Sequence, residues 1–121
     1  MKTKDVFCYD SGDDSLTFVR KGNGADHTLN LGLLLLSLNE KNEVVALELM
    51  GAHKNFKIDK NVLKNLSKAK LKFDFHKDKK TLIINIELLC KDRETIRPLI
   101  VLNDFSVEGL MNESQSFKAC A

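Results

Sequence analysis

The sequence predicts a mainly β (α+β) fold, built of antiparallel β-meanders with about seven strands and one short amphipathic helix. Three observations carry the prediction. Apolar and polar residues alternate over Lys70–His76, the period of a half-buried strand, and within Thr81–Lys91 every second residue from Leu82 to Cys90 is apolar. Turn-forming clusters separate the apolar segments at short intervals. Only one segment, near residues 60–69, shows helical spacing.

The elements follow in chain order. Val6–Tyr9 is a strand closed by Asp10-Ser11-Gly12-Asp13-Asp14, where Gly permits positive φ and Asp can bond its own backbone. Ser15–Arg20 is the returning strand, and Lys21–Asp26 is a loop. Leu29–Leu38 and Glu43–Met50 read as hairpin arms around Asn39–Asn42. Leu33-Leu34-Leu35-Leu36 is apolar on both faces and is therefore expected at the centre of the sheet. Asp59 suits a helix N-cap, and Val62, Leu63, Leu66 and Ala69 then form a helical stripe. Lys77–Lys80 turns the chain into a strand with Leu82, Ile84, Ile86, Leu88 and Cys90 inward. Pro98 cannot donate to a ladder, so the strand over Ile96–Leu102 is expected either at an edge or to begin near Pro98. Beyond Asp104 the pattern weakens, and residues 112–121 are expected to fray.

The 121 residues fit a single domain, 1–121. A shift of 66 positions superimposes Leu33–Leu36 on Leu99–Leu102 and Ser15-Leu16 on Thr81-Leu82, which raises a pseudo-repeat of halves 5–56 and 70–112. Cys8, Cys90 and Cys120 are odd in number, widely spaced and without a CxxC pair, so they read as free thiols in a reducing, cytoplasmic setting. No apolar stretch has the length of a signal peptide or a membrane span.

The first half resembles a small uncharacterised prokaryotic domain family of unknown function. The resemblance covers about residues 5–56. It rests on Tyr9-Asp10, the acidic turn, Asp14-Ser15-Leu16, Leu34–Leu38 and Val45-Ala46-Leu47-Glu48-Leu49-Met50-Gly51-Ala52. Ala46 stands where the family usually has Gly. The resemblance implies a compact β-meander with no established catalytic residues, and members that look like small partners of neighbouring gene products.

No nucleophile elbow, phosphate loop or zinc-protease motif occurs, so neither an enzyme nor a bound cofactor is expected. Asp10, Asp13 and Asp14 are weak candidates for a hard cation, but they lack the spacing and closing Glu of a calcium loop and read first as a solvated turn. His27, His53 and His76 share no ligand spacing, so no metal site is expected.

Charge is uneven. Residues 53–80 carry ten Lys and three Asp, whereas the chain as a whole has a net charge of only +2. Within this Lys-rich segment, 54–80, Lys60, Lys64 and Lys68 recur along the expected helix, and Lys70 and Lys72 share one strand face. These five could contact a polyanion such as a nucleic acid. The absence of Arg among them, and the inward positions of Phe73 and Phe75, rank that reading second. The first reading is a non-catalytic interaction module that self-associates as a homodimer across an exposed strand edge and acts through a protein partner, with no membrane contact.

Overall fold

The computed structural model describes residues 5–20, 24–105, 110 and 112–120. Among these residues the chain forms ten strands and two short α-helices: β1 (Asp5–Asp10), β2 (Ser15–Arg20), β3 (His27–Asn30), β4 (Leu34–Leu38), β5 (Val44–Met50), α1 (Ala52–Phe56), α2 (Lys60–Lys64), β6 (Leu66–His76), β7 (Thr81–Cys90), β8 (Thr95–Ile96), β9 (Leu99–Leu102) and β10 (Glu113–Ala119). The mainly β class is as the periodicity implies; the count of seven strands is not.

All ten strands join one sheet in the order β3-β4-β5-β2-β1-β10-β6-β7-β8, with β9 also pairing β7. Every pairing is antiparallel except that of β1 with β10, which is parallel, so the sheet is mixed and not a simple meander. The residues expected to fray are therefore its middle: β10 sits between β1 and β6. Its inward residues are Gln115 and Phe117, both buried, and its outward ones are Ser114, Ser116 and Lys118, all exposed.

The sheet buries one face. Phe7, Leu16, Phe18, Leu36, Leu47, Leu71, Phe73, Ile84 and Phe117, contributed by β1, β2, β4, β5, β6, β7 and β10, belong to one core cluster. A sheet can bury a single face against itself only by curling over. Gln115 on β10 shows that it does. Its Nε2 donates at 3.0 Å to the carbonyl of Val44 on β5, three strands away. In a flat sheet that separation would be about 14 Å.

The expected helix over 60–69 is shorter. Asp59 caps α2 as anticipated, accepting from the Asn61 N–H at 2.7 Å, and Leu63 is buried. The helix ends at Lys64, and from Leu66 the chain is strand. A register shift against β7 between Leu66 and Lys68 adds one residue, so Leu66 and Ala69 both point inward although they are three apart. A β-bulge thus produced the spacing that resembles a helix turn.

Leu29–Leu38 is likewise two strands. Gly32, at φ 90°, makes the turn between β3 and β4, with its N–H on Asn30 Oδ1 at 3.0 Å. Leu33 therefore lies in a turn and is 50% exposed, while Leu34, Leu36 and Leu38 enter the core. Pro98 separates β8 from β9, both paired to β7, in keeping with its expected place at an edge. The 66-residue shift lays β1–β2 on the end of β6 and on β7, which are also a hairpin. Beyond it the partners differ, since β4 pairs β3 and β5 whereas β9 pairs β7.

Candidate functional site

The acidic turn between β1 and β2 builds a structural node. Asp14 adopts φ 54°. Its Oδ1 accepts from the Tyr9 hydroxyl at 2.6 Å and the His53 N–H at 2.9 Å, and its Oδ2 accepts from the Lys54 N–H at 3.1 Å. Its carbonyl accepts from the Ala52 N–H at 2.8 Å. Gly51, which precedes α1, supplies no side-chain cap, so Asp14 caps that helix from the neighbouring hairpin. Three residues that carry the family resemblance, Tyr9, Asp14 and Ala52, meet here.

Burial pushes the Asp14 carboxyl upward, but the hydrogen bonds from Tyr9, His53 and Lys54 and the charge of Lys60 outweigh it, and the group stays below the ordinary carboxylate range. Tyr9 is pushed up to about 12, by burial first and then by its bond to Asp14 and the charges of Asp14 and Asp10. Asp10 Oδ1 accepts from the Gly12 and Asp13 N–H groups at 2.9 and 3.3 Å, leaving Asp13 exposed. Two of the three candidate cation ligands are thus occupied by turn and cap. Among the described residues no cluster of three His, Cys, Asp or Glu is placed to hold a metal. His27 lies 3.2 Å from Asp26, His53 Nδ1–H donates to the Ile58 carbonyl at 2.8 Å, and His76 ends β6.

The cysteines correct the reading of three free thiols. Cys8 and Cys120 form a disulfide, with a Cα–Cα distance of 5.5 Å, because the parallel pairing of β1 and β10 brings them side by side. Residues 112–121 carry no strand pattern that would reveal that pairing, and the bond withdraws the thiols as grounds for a reducing compartment. Cys90 is free and buried, its thiol pushed up by burial and by Asp92 and Glu94.

The five candidate lysines divide. Lys60 and Lys64 are exposed on α2, and Lys60 acts on Asp14 at the capping node. Lys68, Lys70 and Lys72 are all exposed on the outer face of β6. Sequence reasoning missed two further cations on that side. The register sets Lys118 of β10 beside Lys68, and Arg97 lines a groove with Lys70, Lys72, Asn85, Ser114 and Ser116. The groove has a volume of about 490 Å³.

A second surface is the free edge of β9. The Ile86 N–H donates to the Pro98 carbonyl at 3.0 Å. Backbone groups alternate sides along an antiparallel strand, so Ile100 and Leu102 face β7 and the N–H and C=O groups of Leu99 and Val101 point away from it. No described strand pairs that side. Leu99 and Val101 are also among the most exposed large apolar side chains described, at 59% and 49%.

Comparison with known proteins gives one informative relative. An uncharacterised protein of Methanocaldococcus jannaschii is 35% identical over 94 residues, 77% of this chain and 81% of the relative. The chain belongs to that protein's family. The match is longer than the 5–56 segment on which the resemblance rested, so it takes in part of the second half as well. No family model matches the chain, and no solved structure matches it. No described helix is long and apolar enough to cross a membrane.

Proposed function

We propose that this protein is a non-catalytic interaction module that self-associates through β9, a second copy of the chain being the occupant of that edge. The observation that carries the reading is an unguarded edge. Exposed edges are ordinarily blunted by Lys, Pro or a bulge. Leu99–Leu102 carries no charge at all, in a chain with nineteen Lys and Arg. Pro98 does not guard it, because its carbonyl faces β7 and its missing N–H lies on that inner side. The opposite edge strand, β3, is polar by contrast, with His27, Thr28 and Asn30 exposed.

Two-fold antiparallel pairing centred on Ile100 sets Leu99 of each copy beside Val101 of the other. Both residues have their backbone groups free, so this register makes four interchain hydrogen bonds and stacks four half-exposed apolar side chains. At about 1 kcal/mol per net hydrogen bond and about 1 kcal/mol per half-buried side chain, the gross gain is about 8 kcal/mol. Lost rotational and translational freedom removes at least about 4 kcal/mol of it. A net of about 4 kcal/mol corresponds to a dissociation constant near 1 mM.

Sedimentation equilibrium tests this over a range from about 10 μM to about 3 mM, spanning the dissociation constant worked out above. The weight-average mass is expected to rise from 13.7 kDa towards twice that value. Val101→Lys places a charge on an exposed position and should hold the mass at that of the monomer. A wild-type mass that stays flat across the range, or a Val101→Lys protein that associates as the wild type does, would overturn the reading.

A further inference from the structure

We infer that the outer face of β10-β6-β7 binds the phosphodiester backbone of nucleic acid, independently of base identity. Residues two apart on a strand lie on one face about 6.6 Å from each other, so Lys68, Lys70 and Lys72 form a straight row of charge about 13 Å long. Cross-strand register widens it: Lys118 lies beside Lys68, Ser116 beside Lys70 and Ser114 beside Lys72 on β10, while Asn85 lies beside Lys72 on β7. Arg97 closes one side of the resulting groove.

The face therefore offers five cations, two hydroxyls and an amide against the carboxylate of Glu87, which the β7 register sets beside Lys70, so its balance stays positive and its donors suit phosphate oxygens. Lys68, Lys70 and Lys118 are in no ion pair among the described residues. Lys72 and Arg97, both exposed, have carboxylate partners, the half-buried Asp74 and Glu87, only at 4.0 and 3.9 Å. Exposed pairs at that range contribute little, and phosphate can replace the carboxylate.

The aromatic residues define the mode of binding. Phe73 and Phe117 are buried on the inner face of these same strands, and no ring stands among Lys68, Lys70, Lys72, Ser114 and Ser116; the one outward ring, His76, lies at the far end of β6. Contact is accordingly with the backbone. The groove is also a different surface from the β9 edge, and it does not depend on self-association.

Fluorescence anisotropy with labelled dA20, labelled dT20 and a 20-base-pair duplex tests the inference. For the duplex, three phosphate contacts give a salt slope near −2.7, or about a 40-fold loss of affinity between 50 and 200 mM salt; five contacts give about 500-fold. The two homopolymers should bind within about threefold of each other, since stacking contributes nothing. Lys68→Glu/Lys70→Glu should weaken duplex binding more than tenfold at 50 mM salt. Lys60→Glu/Lys64→Glu, an equal change of charge on α2, should weaken it less than threefold. Lys68→Gln/Lys70→Gln replaces the first pair if circular dichroism shows that it is not folded. No binding of any probe at 50 mM salt overturns the inference. Equal losses from the two lysine pairs would make the effect one of net charge and overturn it as well.

Discussion

Cutting the Cys8–Cys120 bond tests the centre of the fold. The two cysteines are 112 residues apart, so the bond closes almost the whole chain into a ring. Loop-closure entropy for a ring of that size is about 16 cal/mol/K, or about 4.8 kcal/mol at 25 °C, all of it acting on the unfolded state. The folded state should barely change, because the Cys120 N–H still donates to the Phe7 carbonyl and β10 keeps six register partners on β6. With an unfolding entropy near 2.1 cal/mol/K per residue, a chain of this length should melt about 19 °C lower if the full value is realised. Measured values commonly fall short of the entropic one, so a loss of about 3–5 kcal/mol is expected. Urea titrations of the oxidised protein, the reduced protein and Cys8→Ser/Cys120→Ser supply the measurement. The urea m-value should also rise on reduction, as the freed chain exposes more surface when it unfolds. Intact mass after alkylation under denaturing conditions gives the thiol count beforehand. Three alkylated thiols in protein never exposed to reductant would refute the pairing. A verified disulfide whose loss costs under about 1 kcal/mol would refute the argument from chain closure.

The node around Asp14 yields the remaining expectations. Asp14→Ala removes the acceptor of three hydrogen bonds and should cost about 2–4 kcal/mol by chemical denaturation. Asp14→Asn, which tolerates the same left-handed backbone, should cost less. The Asp14 carboxyl is held below its unfolded value, so its contribution is present above about pH 4 and lost as pH falls through the folded pKa; Asp14→Asn should flatten that acid limb. Tyr9 is raised to about 12 from 10.0, so its contribution is complete below pH 10 and lost as pH rises through 12, a limb that Tyr9→Phe should remove from alkaline titrations.

What could be read from the sequence was what alternation encodes. β7 reads without ambiguity because Leu82, Ile84, Ile86, Leu88 and Cys90 are all inward and no bulge interrupts them. Two bulges blurred the rest. The one at Leu66–Lys68 shifted parity and counterfeited a helix, and the one at Ser37–Leu38 let Val44 and Leu47, three apart, both enter the core. β10 was illegible for a different reason. A strand held between two neighbours needs only its inward side chains to be compatible with the core, and here those are one Phe and one Gln. Nothing local in Glu-Ser-Gln-Ser-Phe-Lys-Ala marks it as central. With β10 unseen, the disulfide, the parallel pairing and the place of Lys118 beside Lys68 were all out of reach. Two of the five lysines, Lys70 and Lys72, share a strand face as their alternation implies, whereas Lys68, expected on the helix, joins them only in the structure.

The two proposed surfaces share β7 as a neighbour, yet they are physically separate. Edge pairing extends the sheet in its own plane, so a second copy on β9 leaves the outer face of β6 uncovered. The lysine rows of the two copies would then stand five strand spacings apart along the order β6-β7-β9-β9-β7-β6, about 24 Å. Twist of about 20–25° per strand turns one row by about 100–125° relative to the other over that distance. Rows so turned cannot lie along one straight duplex. Each protomer would therefore engage its own stretch of backbone, and self-association would neither supply nor block the phosphate contacts. Substitutions at Val101 and at Lys68 and Lys70 act on groups that share no partner, and their effects should add.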